Sequence, residues 1–117
     1  MIQDGHGNKY WYKEGNFHRE DGPAMERIDG SKFWYKEGNR HREGGPAIEY
    51  VDGEKLWYKE GKRHREDGPA IERVDGRKEY WKNGRMWTDE ELNEIGLCYY
   101  KCKNCDLNFV VKINNKE

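Results

Sequence analysis

The chain has 117 residues and a net charge of −1, from 22 Lys plus Arg against 23 Asp plus Glu. Charge so nearly balanced excludes the overall positive field by which nucleic-acid and membrane-surface binders attract their partners. With 33% hydrophobic and 38% charged residues there is too little aliphatic material for a thick core, but five Trp and eight Tyr can hold a thin one.

Residues 1–8 form a polar lead-in without an apolar run or a basic leader, so no signal peptide is expected and the chain reads as soluble and intracellular. No stretch approaches the length of a membrane span. From Gly7 the chain falls into a period of 23 residues, visible in Trp11, Trp34 and Trp57. Tyr10 to Gly30 reads YWYKEGNFHREDGPAMERIDG. The copy from Phe33 reads FWYKEGNRHREGGPAIEYVDG, and that from Leu56 reads LWYKEGKRHREDGPAIERVDG. A degraded fourth, EYWKNGRMWTDEE, starts at Glu79. A fixed period of this length marks stacked repeats.

Within each unit, Asp29-Gly30, Asp52-Gly53 and Asp75-Gly76 predict a tight primed hairpin turn. They are flanked by strand-like segments such as 47–51 and 55–59, rich in β-branched and aromatic residues. Gly15, Gly38, Gly61 and Gly84 are expected to end the second strand. Pro23, Pro46 and Pro69, in the corner HREDGPA or HREGGPA, mark where pairing breaks. Each unit is thus one hairpin plus a polar corner, and stacking yields an elongated β-meander. The register stays open, because a shift of one residue exchanges the two faces.

After Trp87, Thr88 and Glu91 have the spacing of a capping box, Leu92 and Ile95 share one face, and Gly96 offers a stop. A helix over 88–96 is predicted to cover the open end of the sheet. The tail alternates apolar residues on both sides of Cys102-Lys103-Asn104-Cys105, as a strand–knuckle–strand hairpin, with 114–117 loose. The expected fold is all-β: a hairpin-repeat meander over 1–87, a capping helix over 88–96 and a Cys-bearing hairpin over 97–117.

The core W-Y-K-x-G-x-x-H-R-x-x-G-P-A, present three times, resembles the MORN repeat and, more closely, its variant MORN-type form. The resemblance covers about residues 7–87. The fourth unit departs from it: Trp87 stands at the His position and G-P-A is missing. The resemblance implies a non-catalytic β-meander that serves as a protein-binding surface. Units with this corner are similar to those of phage and giant-virus proteins and of toxin-neutralising partners.

His18, His41 and His64 are in phase, and equivalent atoms two strands apart lie roughly 9–10 Å from one another. That excludes a shared zinc, whose ligands lie about 2 Å from the metal. These histidines either hydrogen-bond a neighbouring turn or form a binding ridge. Arg19, Arg40, Arg42, Lys62, Arg63 and Arg65, with His41 and His64, would line one edge as a basic ridge for an anionic partner. The alternative is local neutralisation by Glu20, Asp21, Glu43, Glu66 and Asp67. Trp34, Tyr35, Trp57 and Tyr58 serve as core or as an exposed binding face. Cys98, Cys102 and Cys105 contain one CxxC knuckle. They read either as reduced thiols or as a structural zinc site whose fourth ligand comes from His6, a tail carboxylate or a second chain.

For catalysis the sequence offers no nucleophile triad, no phosphate-cradling loop and only one serine, Ser31. The expected function is a non-enzymatic protein-binding module, an inhibitor or neutralising factor, viral in setting and acting on a host or defence factor. Its partner is a protein with an acidic or anionic face, met in the cytoplasm (the host cytoplasm if viral). No cofactor is expected beyond that zinc. Neither membrane nor nucleic acid is an expected partner, and a homodimer is compatible. The alternative is a protein that sequesters a small anion or nucleotide. On the ridge reading, Arg42→Glu with Arg65→Glu weakens binding without unfolding the chain.

Overall fold

The computed structural model describes residues 1–101 and 108–112. Its spine is one eight-stranded antiparallel sheet of two-residue strands, taken in chain order: Ile2–Gln3, Lys9–Tyr10, Met25–Glu26, Lys32–Phe33, Ile48–Glu49, Lys55–Leu56, Ile71–Glu72 and Lys78–Glu79. The molecule is a rod with extents of 58 × 24 × 23 Å. The pairing settles the register. Lys9, Glu26, Lys32, Glu49, Lys55, Glu72 and Lys78 stand directly opposite one another in turn, an unbroken alternation of charge across one face. Opposite charges directly across a ladder each contribute roughly 0.2–1 kcal/mol. The second residue set, Tyr10, Met25, Phe33, Ile48, Leu56 and Ile71, forms an apolar row on the other face. A one-residue slip would oppose this whole pattern, so the register is strongly specified.

Segments such as 55–59, expected as single strands, are divided. At Trp57 the chain leaves the sheet: the Trp57 N–H donates to the Ala70 carbonyl, while its own carbonyl accepts from the His64 N–H. Tyr58–Lys59 then pairs with Lys62–Arg63 in a second, smaller hairpin. The same occurs in every unit: Tyr12–Lys13 with Asn16–Phe17, Tyr35–Lys36 with Asn39–Arg40, and Trp81–Lys82 with Arg85–Met86. A unit therefore holds two hairpins rather than one. The side hairpins cover the apolar row, and Tyr58 is buried in the same cluster as Phe33, Ala47, Ile48, Leu56 and Ile71. The alanines at the corner exits, Ala24, Ala47 and Ala70, have no exposed surface, and their backbones bridge sheet and side hairpin.

The primed turns lie at the side hairpins. Both central residues have positive φ, 51° at Glu37 and 84° at Gly38, and so in each unit. This is the two-residue primed turn. The Asp-Gly loops are instead three-residue loops: Gly30 N–H donates to Arg27 O, only Gly30 has positive φ, and Asp29 Oδ1 caps the Ser31 N–H at 2.8 Å. Their tips expose Ile28, Val51 and Val74 along one edge.

The helix, Asp89–Glu94, has the expected capping box between Thr88 and Glu91. Leu92 is fully buried with Tyr80 and Trp87 beneath Leu97, Tyr99 and Val110. Ile95, expected on the buried face, is instead the C-cap and is exposed. Leu97–Lys101 and Asn108–Lys112 form the expected terminal hairpin, which covers the last sheet strand. Residues 102–107 and 113–117 lie outside the described residues. Among the described residues no helix is long and apolar enough to cross a membrane.

Candidate functional site

The polar corners line one edge of the rod, and each is built around an arginine. Arg19, Arg42 and Arg65 lie over the rings of Trp11, Trp34 and Trp57 at 3.8, 3.8 and 3.9 Å. Each donates through Nη1 to the carbonyl of the corner proline, Pro23, Pro46 or Pro69, at 3.1 Å. The opposite face of the guanidinium lies against a glycine: a Cβ on Gly45 would stand 2.9 Å from Arg42 Cζ. The arginine is thus clamped between indole and backbone. Asp21 and Asp67 accept from Nε of Arg19 and Arg65 at 3.0 Å. On the ridge reading Arg42 and Arg65 are replaceable without loss of fold, whereas the geometry makes the three stacked arginines the staples of the corner. Charge reversal there destroys a stack worth roughly 0.5–2 kcal/mol and takes from the part-buried proline carbonyl its arginine donor.

The histidines join neighbouring units. Nδ1 of His18, His41 and His64 accepts the backbone N–H of Glu37, Glu60 and Asn83 at 3.0, 3.0 and 2.9 Å, each 19 residues on. The ring proton then lies on Nε2 and points at Glu20, Glu43 or Glu66. The Glu20 carboxyl is held below its usual range, first by the hydrogen bond from His18. Gly38, Gly61 and Gly84 add a second junction bond, their N–H donating to the carbonyls of Phe17, Arg40 and Arg63 at 2.9 Å. Trp87, at the fourth His position, has no following unit to hold and packs against Leu92 and Tyr80 instead.

Above these junctions the side hairpins stack into one stripe. Phe17 rests on Tyr12 and Tyr35, with ring centroids 4.8 and 5.0 Å apart. Arg40 pairs across from Tyr35 and lies 5.4 Å over Tyr58. Arg63 pairs across from Tyr58 and lies 4.9 Å over Trp81. Of the aromatics expected as a binding face, Tyr58 is buried, and Trp34, Tyr35 and Trp57 are half-buried.

Between successive corners lie two equivalent open grooves of about 530 and 420 Å³. One is bounded by the corner of Arg19 to Pro23 and by Trp34, Tyr35 and Lys36; the other by the corner of Arg42 to Pro46 and by Trp57, Tyr58 and Lys59. Most charges here are satisfied internally, as the alternative of local neutralisation expected: Arg19 with Asp21, Arg65 with Asp67, and each histidine with its glutamate. Lys36 and Lys59 are exposed and form no ion pair among the described residues. The sequence reading missed both lysines, although their recurrence in every W-Y-K was visible.

Cys98 is half-buried opposite Val111, while Cys102 and Cys105 lie outside the described residues. His6 belongs to the first hairpin, at the sheet edge opposite the terminal hairpin, far along the rod from Cys98. Among the described residues no cluster of His, Cys, Asp and Glu could hold a metal ion. The chain matches no protein-family model, no curated protein and no solved structure.

Proposed function

We propose that this chain is a non-enzymatic protein-binding module of the variant MORN type, an inhibitor or neutralising factor, viral in setting. It lays a partner with an acidic face along the corner edge. The observation that carries this reading is the pair of grooves. They repeat at the period of the chain, present similar residue types and each hold an exposed lysine that forms no ion pair within 4.0 Å among the described residues. Lys59 also stands directly across from Lys62, a like-charged pair that costs stability and is relieved by a partner's carboxylate. Groove volumes of this order also suit a small anion. Two equivalent grooves in line, open to solvent along an edge, fit an extended partner better.

The test is to capture a partner from host-cell extract on the immobilised chain, identify it and titrate it calorimetrically. Lys36→Gln with Lys59→Gln is expected to weaken binding roughly tenfold or more, about 1.4 kcal/mol. Lys32→Gln with Lys55→Gln, on the charged sheet face, is expected to leave affinity nearly unchanged. The reverse ranking overturns the assignment of the corner edge.

A further inference from the structure

The corner of the middle unit departs from its neighbours at one residue. Where Asp21 and Asp67 accept from Nε of Arg19 and Arg65, the second unit has Gly44. Arg42 keeps its ring stack on Trp34, its bond to Pro46 O and a 3.5 Å contact from Nη1 to Glu49. Among the described residues, its Nε edge faces no carboxylate within ion-pair distance. Its side chain is accordingly more open, 30% exposed against 24% for Arg19 and Arg65.

Position singles out the same residue. Of the three stacked arginines, only Arg42 lines both grooves. The acidic groups around it are already engaged: Glu43 by His41, Glu66 by His64, and Asp67 by Arg65. Lys36 and Lys59, one in each groove, form no ion pair within 4.0 Å among the described residues.

We propose that Arg42 is a carboxylate subsite, which an Asp or Glu side chain of the partner protein occupies, taking the place that Asp21 and Asp67 fill in the other two corners. A guanidinium held flat by an indole presents its Nε edge in a fixed plane. That suits the paired N–H···O geometry of a carboxylate, with no ordering left to be done on the protein's side. Lys36 and Lys59 add attraction over a longer range. The inference rests on the protein-binding reading and names the chemistry of its partner.

The test follows the arginine Nε–H resonances of the intact chain while an acetylated Gly-Asp-Glu-Gly peptide is added. The Arg42 signal is expected to shift and saturate, with those of Arg19 and Arg65 still. Asp67→Ala opens the Nε edge of Arg65 and is expected to add it as a second responder; Asp21→Ala does the same for Arg19 should the first variant unfold. An unmoved Arg42 signal overturns the subsite. Equal saturation by acetate assigns it to a free carboxylate anion and overturns the partner's side chain as occupant. A silent Arg42 in a chain whose captured partner still depends on Lys36 and Lys59 removes the subsite alone. Loss of that dependence removes the protein-binding edge itself.

Discussion

Glu37 adopts the left-handed backbone region at φ 51°, as do Glu14 and Glu60, where an L side chain loses roughly 1–2 kcal/mol. The fourth unit has Asn83 at the same place, at φ 52°, and asparagine before glycine is the preferred pair for this turn. Glu37→Asn is therefore expected to stabilise the chain by about 0.5–1 kcal/mol. A higher denaturant midpoint at unchanged slope would show it, and a lower one would mean the Glu37 side chain holds a contact of its own. The same residue explains why half of each unit was hidden in the sequence. Asp-Gly announces a hairpin, whereas Glu-Gly does not, because glutamate so rarely supports positive φ. The corner was equally opaque: HREDGPA reads as a string of surface charge, and only the fold brings Arg19 onto a tryptophan eight residues earlier. The substitution of Gly44 for aspartate was visible, but its meaning needed the Nε–Asp bonds of the other two corners.

At the scale of elements, the helix was the most legible piece, since its capping box depends on residues three apart and on nothing distant. Glu91 also joins the helix to the last side hairpin. Its oxygens accept from Arg85 Nη1 at 2.8 Å, from the Thr88 N–H at 2.9 Å and from Lys82 Nζ at 3.3 Å. These bonds, that from Arg85 foremost, hold its carboxyl well below the usual carboxylate range. A depressed folded value contributes stability that is present above the unfolded value of about 4.3 and is lost as pH falls below it. The melting temperature is therefore expected to drop between about pH 5 and about pH 3, and to drop less in Glu91→Gln. An equal drop in the variant would show that other carboxylates carry the acid sensitivity. The side hairpins were the least legible elements. The W-Y-K segments carry one continuous strand pattern, and the break at Trp57 comes from backbone bonds to Ala70 and His64 that local sequence cannot encode.

The whole molecule is a chain of nearest-neighbour junctions. Each is made by a histidine accepting from the next turn, a glycine N–H, one step of the side-hairpin stack and the shared sheet. The period of 23 announced this arrangement directly, because identical units can bury an apolar row only against copies of themselves. The register was not announced, since a charged and an apolar residue stand side by side in most strands of the sheet and only the built sheet shows which set meets the side hairpins. One consequence is an edge whose chemistry repeats in step with the fold, so that a single extended partner meets two like grooves in succession. Backbone hydrogen exchange of the captured complex tests this most directly. Added protection is expected in both grooves at once, around residues 19–23 with 34–36 and around 42–46 with 57–59, two footprints one period apart. Protection confined to one groove, or placed on the Asp-Gly loops that expose Ile28, Val51 and Val74, would contradict it.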